Sequence, residues 1–284
     1  MTFASEWAIA EAGPLPSRAR RLRRRDWEGF RERVDREDDA FCKAIVTSLY
    51  AGDCYILSNA FPREFMLKMR RDTLAYFRDH RSTFHKITEG AADFHRSIDL
   101  ETGRNYSFHA CKQTAYFFPW NDDPLDLYPA IYERWRVIKK LMGRDAREWE
   151  KNTPKDGVID RIQSVRYPSS IGYLEPHCDP HLYQRLFISG YMSKRGVDYD
   201  GGGFYLVGPD DEVMDGERDV EIGDIGIGYA TVYHGVAPCN RGVEPSWTDS
   251  SGRWFLGLYS TVSDEVPDRH TGHPVKLNLP EVMP

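Results

Sequence analysis

The sequence predicts a mainly β fold with flanking helices: a jelly roll, or double-stranded β-helix, preceded by a helical region. Three observations carry this. Helical spacing dominates up to about residue 150, and short alternating runs replace it from Val158 onward. Turn residues separate those runs at Pro168-Ser169-Ser170, Gly201-Gly202-Gly203, Gly208-Pro209-Asp210-Asp211 and Gly223-Asp224. Many short strands broken by Gly and Pro suit a double-sheet jelly roll.

Residues 1–157 form the expected helical, aromatic-rich N-terminal region with an added strand, 158–262 the jelly-roll core and 263–284 an irregular surface tail, all in one domain. The arginine run at Arg18, Arg20, Arg21, Arg23, Arg24 and Arg25 is followed by acids at Asp35 and Glu37–Asp39. It reads either as a patch for an anionic partner or, as the acidic whole favours, as a solvated helix face paired with those acids. Asp38 or Asp39 caps a helix running to about Ser48. Cys54–Leu57 is a short strand. Pro62 suits the first position of a helix to about Arg81, with Phe65, Met69, Leu74 and Phe77 roughly on one face.

From His80 to Asp126 the periodicity weakens, and Phe84, Phe94, Tyr106, Phe108, Tyr116, Phe117, Phe118 and Trp120 suit either a substrate-pocket wall or ordinary packing. Leu127 to about Trp149 reads as a core-facing helix, with Ile131, Trp135, Ile138 and Met142 at helical spacing. The later strands are placed at 158–167, 171–178, 185–193, 203–207, 218–222, 225–233 and 253–262.

Composition narrows the function. The chain has 284 residues, 40% hydrophobic and 29% charged, with net charge -6, which argues against a general nucleic-acid binder. Its five cysteines are odd in number and scattered, as expected of a reduced, cytoplasmic protein. No apolar run is long enough to span a bilayer, and the N-terminus does not read as a signal peptide.

The chemistry concentrates in His177-Cys178-Asp179, an H-x-D. Side chains two apart on a strand share a face, so this imidazole and carboxylate project together. A second imidazole would complete a two-histidine, one-carboxylate facial site with open positions. His234, ending the 225–233 strand run, is the nominee. Arg253 opens the last strand, and an arginine inside a barrel needs an anion. His181 follows Pro180, which would break the ladder, so it is expected to be a loop or pocket residue. The bland alternative makes His177 and Asp179 a surface pair and His234 a core histidine.

H-x-D, a distal strand-end histidine and a basic residue opening the final strand, in that order, resemble the Fe(II)/2-oxoglutarate-dependent oxygenases, most closely the prolyl-hydroxylase type. The resemblance covers about residues 160–262 and the strand–Phe-Pro–helix entry at 55–80. It implies that His177, Asp179 and His234 bind ferrous iron and that Arg253 pairs with the distal carboxylate of 2-oxoglutarate. Tyr167 would lie beside iron and cosubstrate, and Tyr191 would reach the same carboxylate. Asp200–Gly203 looks like the family's Gly-rich turn. The gap from His234 to Arg253 is longer than usual in the family, through an insertion at Val243–Ser251, which makes Arg241 a rival anchor.

The implied reaction consumes 2-oxoglutarate and O2, releases succinate and CO2, and hydroxylates or cyclises a small molecule. Asp179 argues against halogenation, since family halogenases carry a small residue there. A cupin-like metal enzyme without 2-oxoglutarate, a protein or peptide hydroxylase and a non-catalytic binding module are the alternatives. The acidic run Asp210, Asp211, Glu212, Asp215, Glu217 and Asp219 suits a cationic or sugar-like substrate, or simply a solvated loop. A tailoring step in secondary metabolism, such as antibiotic biosynthesis, is the expected setting; oligomeric state is left open.

Overall fold

A computed structural model describes residues 2–106, 108–277 and 279. The first half runs α1 (Phe3–Ala10), β1 (Arg21–Asp26), α2 (Trp27–Arg36), α3 (Asp39–Tyr50), β2 (Asp53–Ser58), α4 (Arg63–Asp79), β3 (Phe94–Ile98), α5 (Leu100–Arg104), β4 (Ala110–Phe117) and α6 (Tyr128–Leu141). The second half is almost all strand: β5 (Val158–Tyr167), β6 (Tyr173–Cys178), β7 (Leu186–Tyr191), β8 (Gly203–Val207), β9 (Val213–Asp215), β10 (Ile225–Tyr229), β11 (His234–Ala237), β12 (Arg253–Val262) and β13 (His273–Pro274).

Strands β5 to β12 form the jelly roll. In space they run β10-β7-β12-β5 on one side and β6-β11-β8-β9 on the other, so successive strands mostly change sheets. The pairings within each side are antiparallel. This winding brings β6 and β11 together although four other strands lie between them in sequence. β4 joins the two sides, pairing with β5 through Gln113–Phe117 and with β6 through Ala110–Cys111.

Helices α4 and α6 cover the outer face of the larger sheet. Met66 and Met69 of α4 and Ile131, Trp135 and Ile138 of α6 are fully buried there. Each such side chain contributes roughly 1.5–3 kcal/mol of hydrophobic stabilisation. α6 is shorter than its periodicity suggests. It ends at Leu141 because Gly143, at φ 71°, turns the chain away within hydrogen-bond reach of Lys140. Pro62 sits one residue before α4 rather than within it, in the cap position.

The arginine run is not a helix. It forms β1, an edge strand parallel to β2. An edge studded with charge resists pairing with other chains. Its acids also differ from those expected: Asp53 accepts from Arg20 Nε (2.7 Å), Arg23 Nε (2.6 Å) and Ser48 Oγ (2.7 Å), and Arg24 pairs with Asp224. Burial pushes the Asp53 carboxyl up, but these donors outweigh it and hold it at about 2, against an ordinary 3.8. A depressed folded value gives stability that is present above 3.8 and lost as pH falls towards 2. Asp53→Asn is therefore expected to cost most stability near neutral pH, with the gap to wild type closing below pH 3.8 in urea unfolding. A gap that stays constant down to acid pH would contradict this.

Three further expectations are corrected. The run 225–233 is not one strand: after Tyr229 the chain turns, with Val232 N–H donating to the Tyr229 carbonyl, and crosses to the other sheet. His234 thus opens β11 instead of ending β10. Residues 218–222 are a turn, because the chain folds inward at Glu217 to reach Arg253; the short strand in this stretch is β9. The tail is not merely a surface segment, since β13 pairs with His177 and Cys178.

Candidate metal centre

His177 stands at the end of β6 and His234 at the start of β11, directly opposite each other in register. Asp179 follows the end of β6, where its backbone N–H donates to the Ala230 carbonyl at 2.9 Å. The H-x-D spacing therefore works as a strand end should, with His177 and Asp179 facing one way. Asp179 Oδ1 lies 3.8 Å from His177 Nε2 and Oδ2 lies 3.7 Å from His234 Nε2. Ligand atoms of all three residues fall within 4.8 Å of one another. This is a donor set able to hold a metal ion, reached at Asp179 by a cavity.

The backbone sets the tautomers. His177 Nδ1–H donates to the Glu175 carbonyl (2.9 Å) and His234 Nδ1–H to the Val232 carbonyl (2.8 Å). Each Nε2 lone pair is thereby left for the metal, and each ring is fixed. Burial, then the neighbouring His234, hold His177 well below its ordinary value, so it is a neutral ligand. Burial raises the Asp179 carboxyl, while His234, Lys112 and Arg161 pull it back. Aromatic rings wall the imidazoles: Phe108 is 5.2 Å from His177, Phe187 4.9 Å from His234 and Phe204 5.5 Å from His234.

Deeper between the sheets, Arg253 opens β12 opposite Tyr167 of β5. Its side chain is 2% exposed, yet only Nε has a partner, the Glu217 carboxylate at 2.6 Å. Nη1 and Nη2 have none among the described residues, and neither has the buried Tyr167 hydroxyl. The guanidinium lies 5.6 Å from the Tyr167 ring and 5.9 Å from that of Phe204, which also touches His234. Two forked donors and a hydroxyl are thus buried without acceptors beside the triad. Buried donors are normally paired, so this cradle fits a carboxylate. Arg241, the rival anchor, is exposed at the surface.

Tyr191 is less well placed than the sequence suggested. Its hydroxyl donates to the Gly216 carbonyl at 3.2 Å, and its ring packs with Ile56 and Val220. His181 lies off the strand, its backbone N–H donating to His270 Nε2 at 3.4 Å. The Gly-rich turn has a local reason at Gly203. With φ 93°, a β-carbon there would sit 2.0 Å from Glu217 Oε2. Glycine lets that carboxylate reach the Phe204 N–H and Arg253 together.

The acidic run does not face the triad as a group. Asp211 pairs with Arg18, Asp215 with Arg195 and Glu217 with Arg253. Those three acids are thereby taken up by arginines of the fold. Glu217 was hidden among acids that look solvated; only the fold shows it as the partner of Arg253. Of the aromatic segment, Tyr106 and Phe108 line a partly open cavity of about 360 Å³ that reaches Asp179. Phe94, Tyr116 and Phe118 instead form a small core with Ile87 and Ile159. Larger hollows of about 560 and 550 Å³ elsewhere hold none of the triad.

No family model matches the chain, and no curated protein matches it. Among solved structures it is similar to a prolyl-4-hydroxylase of Pseudomonas putida, at 14% identity and TM-score 0.47, covering 76% of this chain and 96% of that one. It is also similar to a full-length Neurospora crassa protein in complex with alpha-KG and 5-formyluracil, at 14% identity and TM-score 0.48, covering 84% of each. A third is a putative 2OG-Fe(II) oxygenase family protein of Caulobacter crescentus, at 12% identity and TM-score 0.45, covering 87% of this chain and 88% of that one. The functional reading rests on the chain's own residues.

Proposed function

We propose that this protein is an Fe(II)- and 2-oxoglutarate-dependent oxygenase that oxidises a small molecule. The observation that carries the reading is the buried Arg253 fork, unpartnered at both Nη atoms among the described residues, beside the His177–Asp179–His234 triad. The triad would hold the iron. Arg253, with Tyr167, would hold the far carboxylate of the keto acid, and Glu217 fixes the guanidinium plane from behind. Tyr191 supports this wall rather than contacting the keto acid. When bound, iron and 2-oxoglutarate supply the oxidation: O2 is consumed, the keto acid leaves as succinate and CO2, and a substrate C–H bond gains an oxygen.

The protein's own work is to fix, position and exclude. The carbonyls of Glu175 and Val232 lock both imidazoles. Phe108, Phe187 and Phe204 keep water from the ligands, and the cavity at Asp179 admits the substrate from one side. Ring closure in place of hydroxylation, in secondary metabolism, is the finer form of this reading, decided by product analysis. All five cysteines are free and buried, which supports a reducing, cytoplasmic setting. The cupin-like alternative wants a larger ligand set, whereas three ligands gather here among the described residues.

The test is calorimetric titration of 2-oxoglutarate into the Mn(II)-loaded protein. Arg253→Gln is expected to weaken binding at least about 30-fold, as for truncation of a buried charged pair. Arg241→Gln is expected to leave it unchanged. The reverse pattern would move the anchor to Arg241, and no binding to wild type would sink the oxygenase reading.

A further inference from the structure

The inner faces of β4, β5 and β12 continue past the triad towards the open end of the cavity. On β5 the inward column runs Tyr167, Val165, Gln163, Arg161, and on β12 it runs Arg253, Phe255, Gly257, Tyr259, paired rung by rung. The column therefore begins and ends with an arginine. Arg253 has the Glu217 carboxylate. Arg161, towards the other end of the column, has no carboxylate bonded to it among the described residues.

Arg161 lines the cavity that reaches Asp179. Its guanidinium lies between the Tyr116 and Tyr259 rings, 5.7 and 5.3 Å from their centres. Its bonded partner is neutral: the Gln163 amide oxygen accepts from Nε (2.8 Å) and Nη2 (3.0 Å) in the orientation that satisfies both groups. The ammonium of Lys112, inward-facing on β4, has no hydrogen bond or ion pair among the described residues. Lys112 shares its face of β4 with Tyr116, four residues along, whose ring lies against Arg161. Burial, then Arg161, push that ammonium down to about 8.

Of the other nearby cations, Arg96 donates to the Tyr106 hydroxyl and the His85 carbonyl, with its Nε unpartnered among the described residues, and Arg269, on the cavity wall, pairs with Asp264. The carboxylate that acts on both Lys112 and Arg161 is Asp179, which the triad commits to the metal. Two cations on one partly buried inner face, neither ion-paired to a carboxylate of its own among the described residues, cost free energy that an incoming anion would recover.

We infer that the substrate is a compact organic anion, a carboxylic acid or phosphate ester, whose charged group is held by Arg161 and Lys112. This rests on the oxygenase reading for the word substrate, and the anion site rests on the triad's holding a metal, which takes Asp179. Tyr106, Phe108 and Tyr259 would flank the body of the molecule, and the tail residues Thr271 and Gly272 line the same cavity. A volume of about 360 Å³ suits a ligand of a single ring or short chain. The charge preference is opposite to that drawn from the acidic loop.

The test uses isothermal titration of Zn(II)-loaded protein, with and without saturating 2-oxoglutarate. Benzoate and phenyl phosphate are the anionic probes and benzamide the neutral one. At least one anion is expected to bind about 10-fold or more tighter than benzamide, as for a charged hydrogen bond. Whichever anion is preferred separates carboxylate from phosphate. Arg161→Gln and Lys112→Gln should each erode that preference, Arg161→Lys should retain most of it, and 2-oxoglutarate affinity should stay within about 3-fold in Arg161→Gln. Equal binding of benzamide, absence of anion binding to wild type, or unchanged anion binding in both glutamine variants would overturn the proposal. Anion preference without any 2-oxoglutarate binding would instead remove the oxygenase reading and leave the anion site.

Discussion

Asp179→Ala is expected to weaken divalent metal binding by about 100-fold or more, beyond the 10–100-fold typical of losing a group that merely supports a ligand. The carboxylate is the only anion of the triad and faces both Nε2 atoms, at 3.8 and 3.7 Å. Two imidazoles remain in the variant, 4.3 Å apart between ring centres, with no carboxylate to offset the ion's charge. The fold should survive, because the backbone bond from Asp179 N–H to Ala230 does not depend on the side chain. Calorimetry with Mn(II) or Zn(II) measures the loss, and circular dichroism checks the fold. Metal affinity within about 3-fold of wild type would show that the ion is held elsewhere.

The second large effect is on stability. Lys139 of α6 and Asp160 of β5 are both 0% exposed at the side chain and form an ion pair of 2.5 Å. Asp160 also accepts from the Tyr132 and Ser260 hydroxyls at 3.1 and 2.8 Å, so the cluster pins α6 to β5 and β12. Lys139→Met leaves Asp160 without its cation in an apolar layer and is expected to cost about 3–5 kcal/mol. Replacing both, as Lys139→Met with Asp160→Asn, should recover part of that loss, because the remaining amide carries no charge. Urea unfolding measures both variants. Asp160 points away from the face that carries Arg161 and Tyr167, so metal affinity should be unchanged. A loss below about 1 kcal/mol would mean that the pair contributes little.

What the sequence revealed depended on the range of the interaction. His177 and Asp179 were legible because period-2 geometry acts over two residues. His234 was nominated as a strand-end histidine, but its place as the opener of β11 depends on the crossover after Tyr229 between sheets. Arg253 was legible as a cation at the start of an apolar strand. Its partner Glu217 was not, since one acid in an acidic run looks like its neighbours until burial distinguishes it. The arginine run was misread for the related reason that its acids, Asp53 and Asp224, lie far away in sequence. Lys112 and Arg161 carry a signal of the same kind: each is a charge within a strand whose neighbours are mostly buried. The tail gave no periodic signal at all, because β13 is two residues long and owes its place to β6.

The central claim is that one keto acid bridges the triad and Arg253. It is tested most directly by anaerobic titration of the protein with Fe(II) and then 2-oxoglutarate, followed by visible absorption. Chelation of the keto acid to ferrous iron is expected to give a metal-to-ligand charge-transfer band in wild type. That band should be lost in Asp179→Ala and require at least about 30-fold more 2-oxoglutarate in Arg253→Gln. Iron bound at His177, Asp179 and His234 with no band at any 2-oxoglutarate concentration would contradict the account.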